Sequence, residues 1–288
     1  MLKRTGKSFV LLLVLLAVLA LVGCGDTTTV NADEVVQKAL AAQANLKTTR
    51  VVIDLDGSAQ GTLNGSAFNA TVEASINSAF DQTNKKMQAS VSLDMTATGE
   101  QPMAVDADIY VIDNCTYLKA NSIWMKQATE EDFWASFSQL DGFLSSDNFQ
   151  TQILSAVDAK YVKEEKVNGI TCYLLELTPD ISALQQMIAN QPMMADSGIQ
   201  LPDLEKIVKQ QSFKVWIAKD TSFLAKVEID LTAEITPQTL GLSTNSSDNL
   251  TITLKLTVDA SDFNQTLTIQ LPDEAQNAIN GNIDLPFL

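Results

Sequence analysis

The sequence predicts a mainly β protein with helices (α+β): one large curved antiparallel sheet, or half-open β-barrel, under a helical lid. Three observations predict it. Long stretches alternate apolar and polar residues with period two, the mark of strands with one buried and one wet face. Turn residues separate those stretches. Two segments interrupt the alternation with helical spacing and a supply of aromatic and Met side chains.

The first residues serve export. Lys3, Arg4 and Lys7 precede the unbroken apolar run Phe9–Ala20, too short to span a bilayer but suited to a secretory signal. The run leads into Leu21-Val22-Gly23-Cys24, the pattern of a bacterial lipobox. Residues 1–23 therefore read as a lipoprotein signal peptide and Cys24 as the lipidation site. Residues 24–32 form a tether, about 25 Å long if extended, and 33–288 a single domain. Acyl chains on Cys24, palmitate among them, would anchor the exported, outward-facing chain to the cell membrane.

Asp33-Glu34 opens a helix, with Val35, Ala39, Ala42 and Leu46 as its apolar stripe through about Lys47. Period two then takes over. Met87, Ala89, Val91, Leu93, Met95 and Ala97 alternate with polar residues. So do Val227–Ile235, Leu250–Ala260 and Leu267, Ile269 and Leu271. Turns are expected at Asp56-Gly57, Asn64-Gly65, Asp113-Asn114, Asn168-Gly169, Lys219-Asp220 and Asn245–Asp248, giving ten or eleven strands. The first interruption, 129–155, carries Phe133, Trp134, Phe137 and Leu140 along one side. The second, 180–211, holds Met187, then a loop with Met193 and Met194, then another helical turn at 203–211. Methionine adapts to irregular contents, so this loop reads as a flap.

Composition removes whole classes of chemistry. The chain has no histidine, so Ser/His/Asp and Cys/His nucleophile systems and His-ligated zinc are excluded. With 19 Lys+Arg against 35 Asp+Glu and a net charge of −16, it lacks the basic face of a nucleic-acid binder. At 45% hydrophobic and 19% charged residues it can bury a core. Asp54-Leu55-Asp56-Gly57-Ser58 resembles a calcium loop but has its Gly at the wrong place. Glu130-Glu131-Asp132 and Glu164-Glu165 sit where a helix start or a wet strand face wants charge, so no catalytic residue, metal or cofactor is assigned. Cys115 and Cys172 are exported, and two readings stay open for them. A disulfide would contribute roughly 3–4 kcal/mol; the other reading is two small thiols.

The layout then becomes familiar. Lipobox Cys24, a Thr-rich tether, the opening helix with Val35-Val36 and Ala39-Leu40, and a long meander follow one another. Within it, Tyr117-Leu118-Lys119 precedes Ile123-Trp124-Met125-Lys126. This resembles the LppX/LprG-type envelope lipoproteins of mycobacteria and, more distantly, the LolA/LolB lipoprotein carriers. The resemblance implies a LolA-like half-barrel holding acyl chains or a lipidated partner in an apolar interior, with no catalytic residue. This sequence departs from it in its greater length and in the Met193-Met194 flap.

The expected function is therefore a lipid-anchored, non-enzymatic protein that binds or carries a lipid, a glycolipid or an acylated partner. Inward positions Val91, Leu93, Leu231, Leu254 and Leu256 and the lid residues Phe133, Trp134, Phe137, Met187, Met193 and Met194 would line the cavity. The alternatives are a sensor or interaction module of the same fold with a filled core, and a glycan hydrolase using a carboxylate pair.

Overall fold

The computed structural model describes residues 30–129, 133–134, 156–183, 185, 203–239 and 248–281. Cys24, Phe137, Met187, Met193, Met194, the cluster Glu130-Glu131-Asp132 and the Asn245–Ser247 part of the last expected turn lie outside the described residues.

Asn31 starts helix α1 (Ala32–Gln43). Its side chain accepts from the backbone N–H groups of Asp33 and Glu34, and both carboxylates sit in the first turn, where the helix dipole favours them. The helix stops short of Lys47. Asn264, at the far end of the chain, captures the exit: its Oδ1 accepts from Lys47 N at 2.7 Å, and its Nδ2 donates to Asn45 O at 3.1 Å. The buried stripe is Ala32, Val36, Ala39 and Leu40; it shares Ala39 with the expected one but runs through Val36 rather than Val35.

Twelve strands form one sheet. β1 (Thr48–Leu63), β2 (Ser66–Asp81), β3 (Lys86–Ala97), β4 (Met103–Ile112), β5 (Cys115–Ala120) and β6 (Ile123–Ala128) meander in sequence. β7 (Val157–Val167) and β8 (Ile170–Pro179) follow, then the short helix α2 (Leu204–Ile207), β9 (Val208–Ala218), β10 (Leu224–Ile235) and β11 (Asn249–Ser261). A 3₁₀ turn at Asp273–Asn277 precedes β12 (Ile279–Asn280). The order is β12-β6-β5-β4-β3-β2-β1-β11-β10-β9-β8-β7. Every pairing is antiparallel except β12 on β6. β7 and β12 end the order without pairing to each other, so the curved sheet is open, as expected of one large curved sheet or half-open barrel; it does not close into a full barrel.

Hairpins at Asn64-Gly65 and Asn168-Gly169 have both central residues at positive φ, the turn whose twist matches antiparallel strands. Asp113-Asn114 turns the same way. Asp56-Gly57 does not turn at all. Gly57 lies inside β1, opposite Leu254 and Val72, and a Cβ there would come within 2.8 Å of Val72 Cγ1. Glycine serves close approach at this point.

Two further expectations are corrected. Residues 208–211 belong to β9, so the helical turn is α2 alone. Leu267, Ile269 and Leu271 alternate but form no ladder; they lie on the outer face, packed with Ala79, Tyr110 and Ile112. Their alternation is that of an extended strap with one face on the sheet, and alternation alone cannot tell a strap from a strand.

Candidate functional site

The register places the apolar positions of successive strands side by side. One row runs Ala107, Val91, Ile76, Ile53, Val258, Val227, Val215 and Leu175 across eight strands. The next runs Val105, Leu93, Ala74, Leu55, Leu256, Ile229, Phe213 and Leu177, and the one beyond it Met103, Met95, Val72, Gly57, Leu254, Leu231 and Gln211. These rows make a continuous inner face.

Two clusters cover part of it. Val36, Ala39 and Leu40 of α1 pack with Leu55, Leu175, Leu177, Phe213, Val215, Ile229 and Leu256 over the β7–β11 half. Burying a side chain such as Val36 or Leu40 contributes about 1.5–3 kcal/mol. On the other half, Phe133 and Trp134 lie against Met87, Ala89, Ile109, Val111 and Val91. Their rings meet edge to face at 5.1 Å. Beyond the clusters the inner face is less covered: Leu93 and Leu231 are half-buried, as are Val91 and Leu254 at the cluster borders. Leu256, only 1% exposed, fills the core beneath α1.

Among the described residues, six large apolar side chains stand out as exposed: Leu63, Met95, Met103, Ile123, Val162 and Ile279. The first four belong to the inner face. Met95 and Met103 face each other across β3 and β4. Ile123 extends the Val91–Ala107 row through Ala120. Leu63 continues the odd-numbered inner positions of β1.

Between an apolar cluster around Trp216 and the strap-covered end, the outer face is polar. Asp56, Glu73 and Asp94 stand directly opposite one another on three adjacent strands, with Lys255 beside Asp56. Asp54 and Asp56, the calcium-loop residues, thus sit on a flat strand surface. Among the described residues, no group of His, Cys, Asp and Glu is placed to hold a metal ion. Glu164 and Glu165 have structural partners. Lys219 Nζ lies 2.6 Å from Glu164 Oε1. Trp216 Nε1 donates to Glu165 Oε2 at 3.1 Å, and this bond, with Lys163 nearby, holds the Glu165 carboxyl below its usual range.

Cys115 begins β5 and Cys172 lies in β8, with seven strands between them in the sheet order, and both are free thiols. The bridge is thus replaced by two separate thiols. The Tyr117–Lys126 stretch is the β5–β6 hairpin, in which Lys119 pairs with Trp124 and places its Nζ 5.8 Å from the ring centroid.

Sequence reasoning missed Gln43 and Gln211. Gln43 Nε2 and Gln211 Oε1 are buried without a hydrogen-bond partner. Gln43 continues the buried stripe of α1, and Gln211 occupies an inward position beside Leu231. A polar residue at an apolar step of the period is the signal that could have found them.

The profile of a family of unknown function, DUF6612, matches residues 31–280, and the chain belongs to that family. No curated protein matches it significantly. Among solved structures it is similar to LprF from Mycobacterium bovis, with 14% identity and a TM-score of 0.37 over 83% of this chain and 95% of that one. The lipoprotein LppX of Mycobacterium tuberculosis matches at 16% identity and 0.37, over 82% and 97%. An outer membrane lipoprotein-sorting protein domain from Vibrio parahaemolyticus matches at 14% and 0.21, over 85% and 96%. Likeness at this level transfers no ligand; the architecture rests on the sheet itself.

Proposed function

We propose that this member of DUF6612 is a lipid-anchored envelope protein that holds a hydrophobic ligand, a lipid or an acylated partner, against the inner face of its open sheet. One observation carries the reading. Leu63, Met95, Met103 and Ile123, four of the most exposed large apolar side chains described, project from the same face that supplies the core. Met95 and Met103 are direct cross-strand neighbours beside half-buried Val72, Leu254 and Leu231, and exposed apolar surface of this kind marks an interaction site.

The mechanism is burial. Each CH2 removed from water contributes about 0.8 kcal/mol, so an acyl chain laid along the Met103–Leu231 row needs no charged partner. Val91, Leu93, Leu231 and Leu254 would line the site, with Phe133 and Trp134 as its wall. Phe137, Met187, Met193 and Met194 are assigned to the covering segments on sequence grounds, as Cys24 is to the anchor. No acid–base or nucleophilic step enters, consistent with a chain that has no histidine.

Adjacent residues on opposite faces of β3 supply the test. Leu93→Asp puts a charge on the inner face and should weaken binding of a fluorescent acyl probe about tenfold or more. Asp94→Asn, on the outer face, should leave it unchanged. Equal effects from both substitutions would contradict an inner-face site.

A further inference from the structure

The ladder between β8 and β9 runs from Cys172–Ala218 to Leu177–Phe213 and stops there. Beyond that point β8 continues pairing with β7 as far as Pro179 opposite Val157. β9 continues pairing with β10 as far as Val208 opposite Ala233. The strands part, and the edges at 178–179 and 208–212 face each other with no ladder between them.

A crevice of about 550 Å³ occupies the gap, lined by Asp180, Ser182, Glu205, Val208, Lys209 and Gln211. It is bridged rather than sealed: Ser182 Oγ donates to Glu205 Oε1, and Gln185 Oε1 accepts from Leu204 N at 2.9 Å. Gln211 joins this crevice to the inner face, because its register puts it in the Leu254–Leu231 row. Its Oε1 is buried and receives no hydrogen bond. A buried acceptor without a donor is costly, and a donor brought by a ligand removes the cost.

We propose that the gap between β8 and β9 is a headgroup site, which takes a neutral, hydrogen-bond-donating head of an amphiphile whose chain lies on the inner face. A hydroxyl or N–H of the head donates to Gln211 Oε1. The lining favours such a head over an anion. Asp180 and Glu205 present carboxylates, and the nearby lysines are engaged: Lys206 Nζ lies 2.8 Å from Asp203 Oδ2 and Lys209 Nζ 3.9 Å from Glu234 Oε2. A phosphate or carboxylate head would meet like charge there. This inference rests on the inner-face reading above.

The test uses the full chain carrying Cys24→Ser and four probes: 1-monooleoylglycerol, methyl oleate, oleate and free glycerol, each competing against a fluorescent acyl probe. Monooleoylglycerol should bind more tightly than methyl oleate or oleate. Gln211→Leu should weaken monooleoylglycerol roughly 3- to 10-fold, the loss of one hydrogen bond, and leave methyl oleate unchanged. Gln211→Glu keeps an acceptor and should keep the preference. The melting temperature of ligand-free Gln211→Leu should not fall, since the substitution removes an unpaired acceptor. A fall would make Gln211 a structural partner and overturn the proposal. So would tightest binding by oleate, displacement by glycerol alone, or equal losses for both oleoyl esters. Methyl oleate binding without head preference removes the headgroup site and leaves the inner-face reading intact. Failure of every oleoyl compound to bind removes both.

Discussion

Burial pushes the Cys172 thiol up to about 11, and its Sγ lies 3.5 Å from Ile170 O. An unfolded thiol ionises near about 8.5. Between these values the folded state keeps a proton that the unfolded state has released, so stability is full below the unfolded value and is lost as pH rises through the window. The urea midpoint should therefore fall between about pH 8.5 and 11, and fall less steeply in Cys172→Ala. Tyr110 and Tyr117, also raised chiefly by burial, account for a remaining slope of the same sign. An unchanged slope in the variant would show that Cys172 does not ionise late. Single residues were also where the sequence was least legible. Gly57 looked like a turn beside Asp56, because nothing local reveals that Val72 will lie over it. Nothing local marks Asn264 either, yet it binds the exit of a helix from the other end of the chain.

Strands were legible wherever alternation was long. Val91 and Leu93 of β3, Leu231 of β10 and Leu254 of β11 all face inward as their spacing predicts, because a half-buried strand leaves a period of two. The same logic failed at Leu267–Leu271, where an unpaired strap obeys the same period. It also failed in α1, where neighbouring Val35 and Val36 left the stripe one residue ambiguous. The outer face carries a local conflict: Asp56, Glu73 and Asp94 sit in direct cross-strand opposition. Like charges so placed repel, each pair by roughly 0.2–1 kcal/mol. Glu73→Gln touches both pairs and should raise the urea midpoint, most clearly at low salt, where screening is weakest. A lower midpoint would mean that the row is compensated.

On the scale of the whole molecule, the sheet behaves as one surface with two solvents. Its outer side takes charge and a C-terminal strap, and its inner side is covered at both ends by α1 and by Phe133 and Trp134. The sequence announced both sides through alternation. An open sheet was expected, but which strands would form its edges was not: that β7 and β12 end the order depends on long-range pairing, and no local pattern encodes that. Nor could it show the parting of β8 from β9, which follows from the partners each strand keeps. The proposal for this surface is that its inner face holds a hydrophobic molecule. The direct measurement is native mass spectrometry of the chain carrying Cys24→Ser, purified from its own host. A non-covalent adduct of lipid mass is expected, one that organic extraction removes and added lipid restores. A bare protein mass before extraction, with no uptake of lipid afterwards, would contradict it.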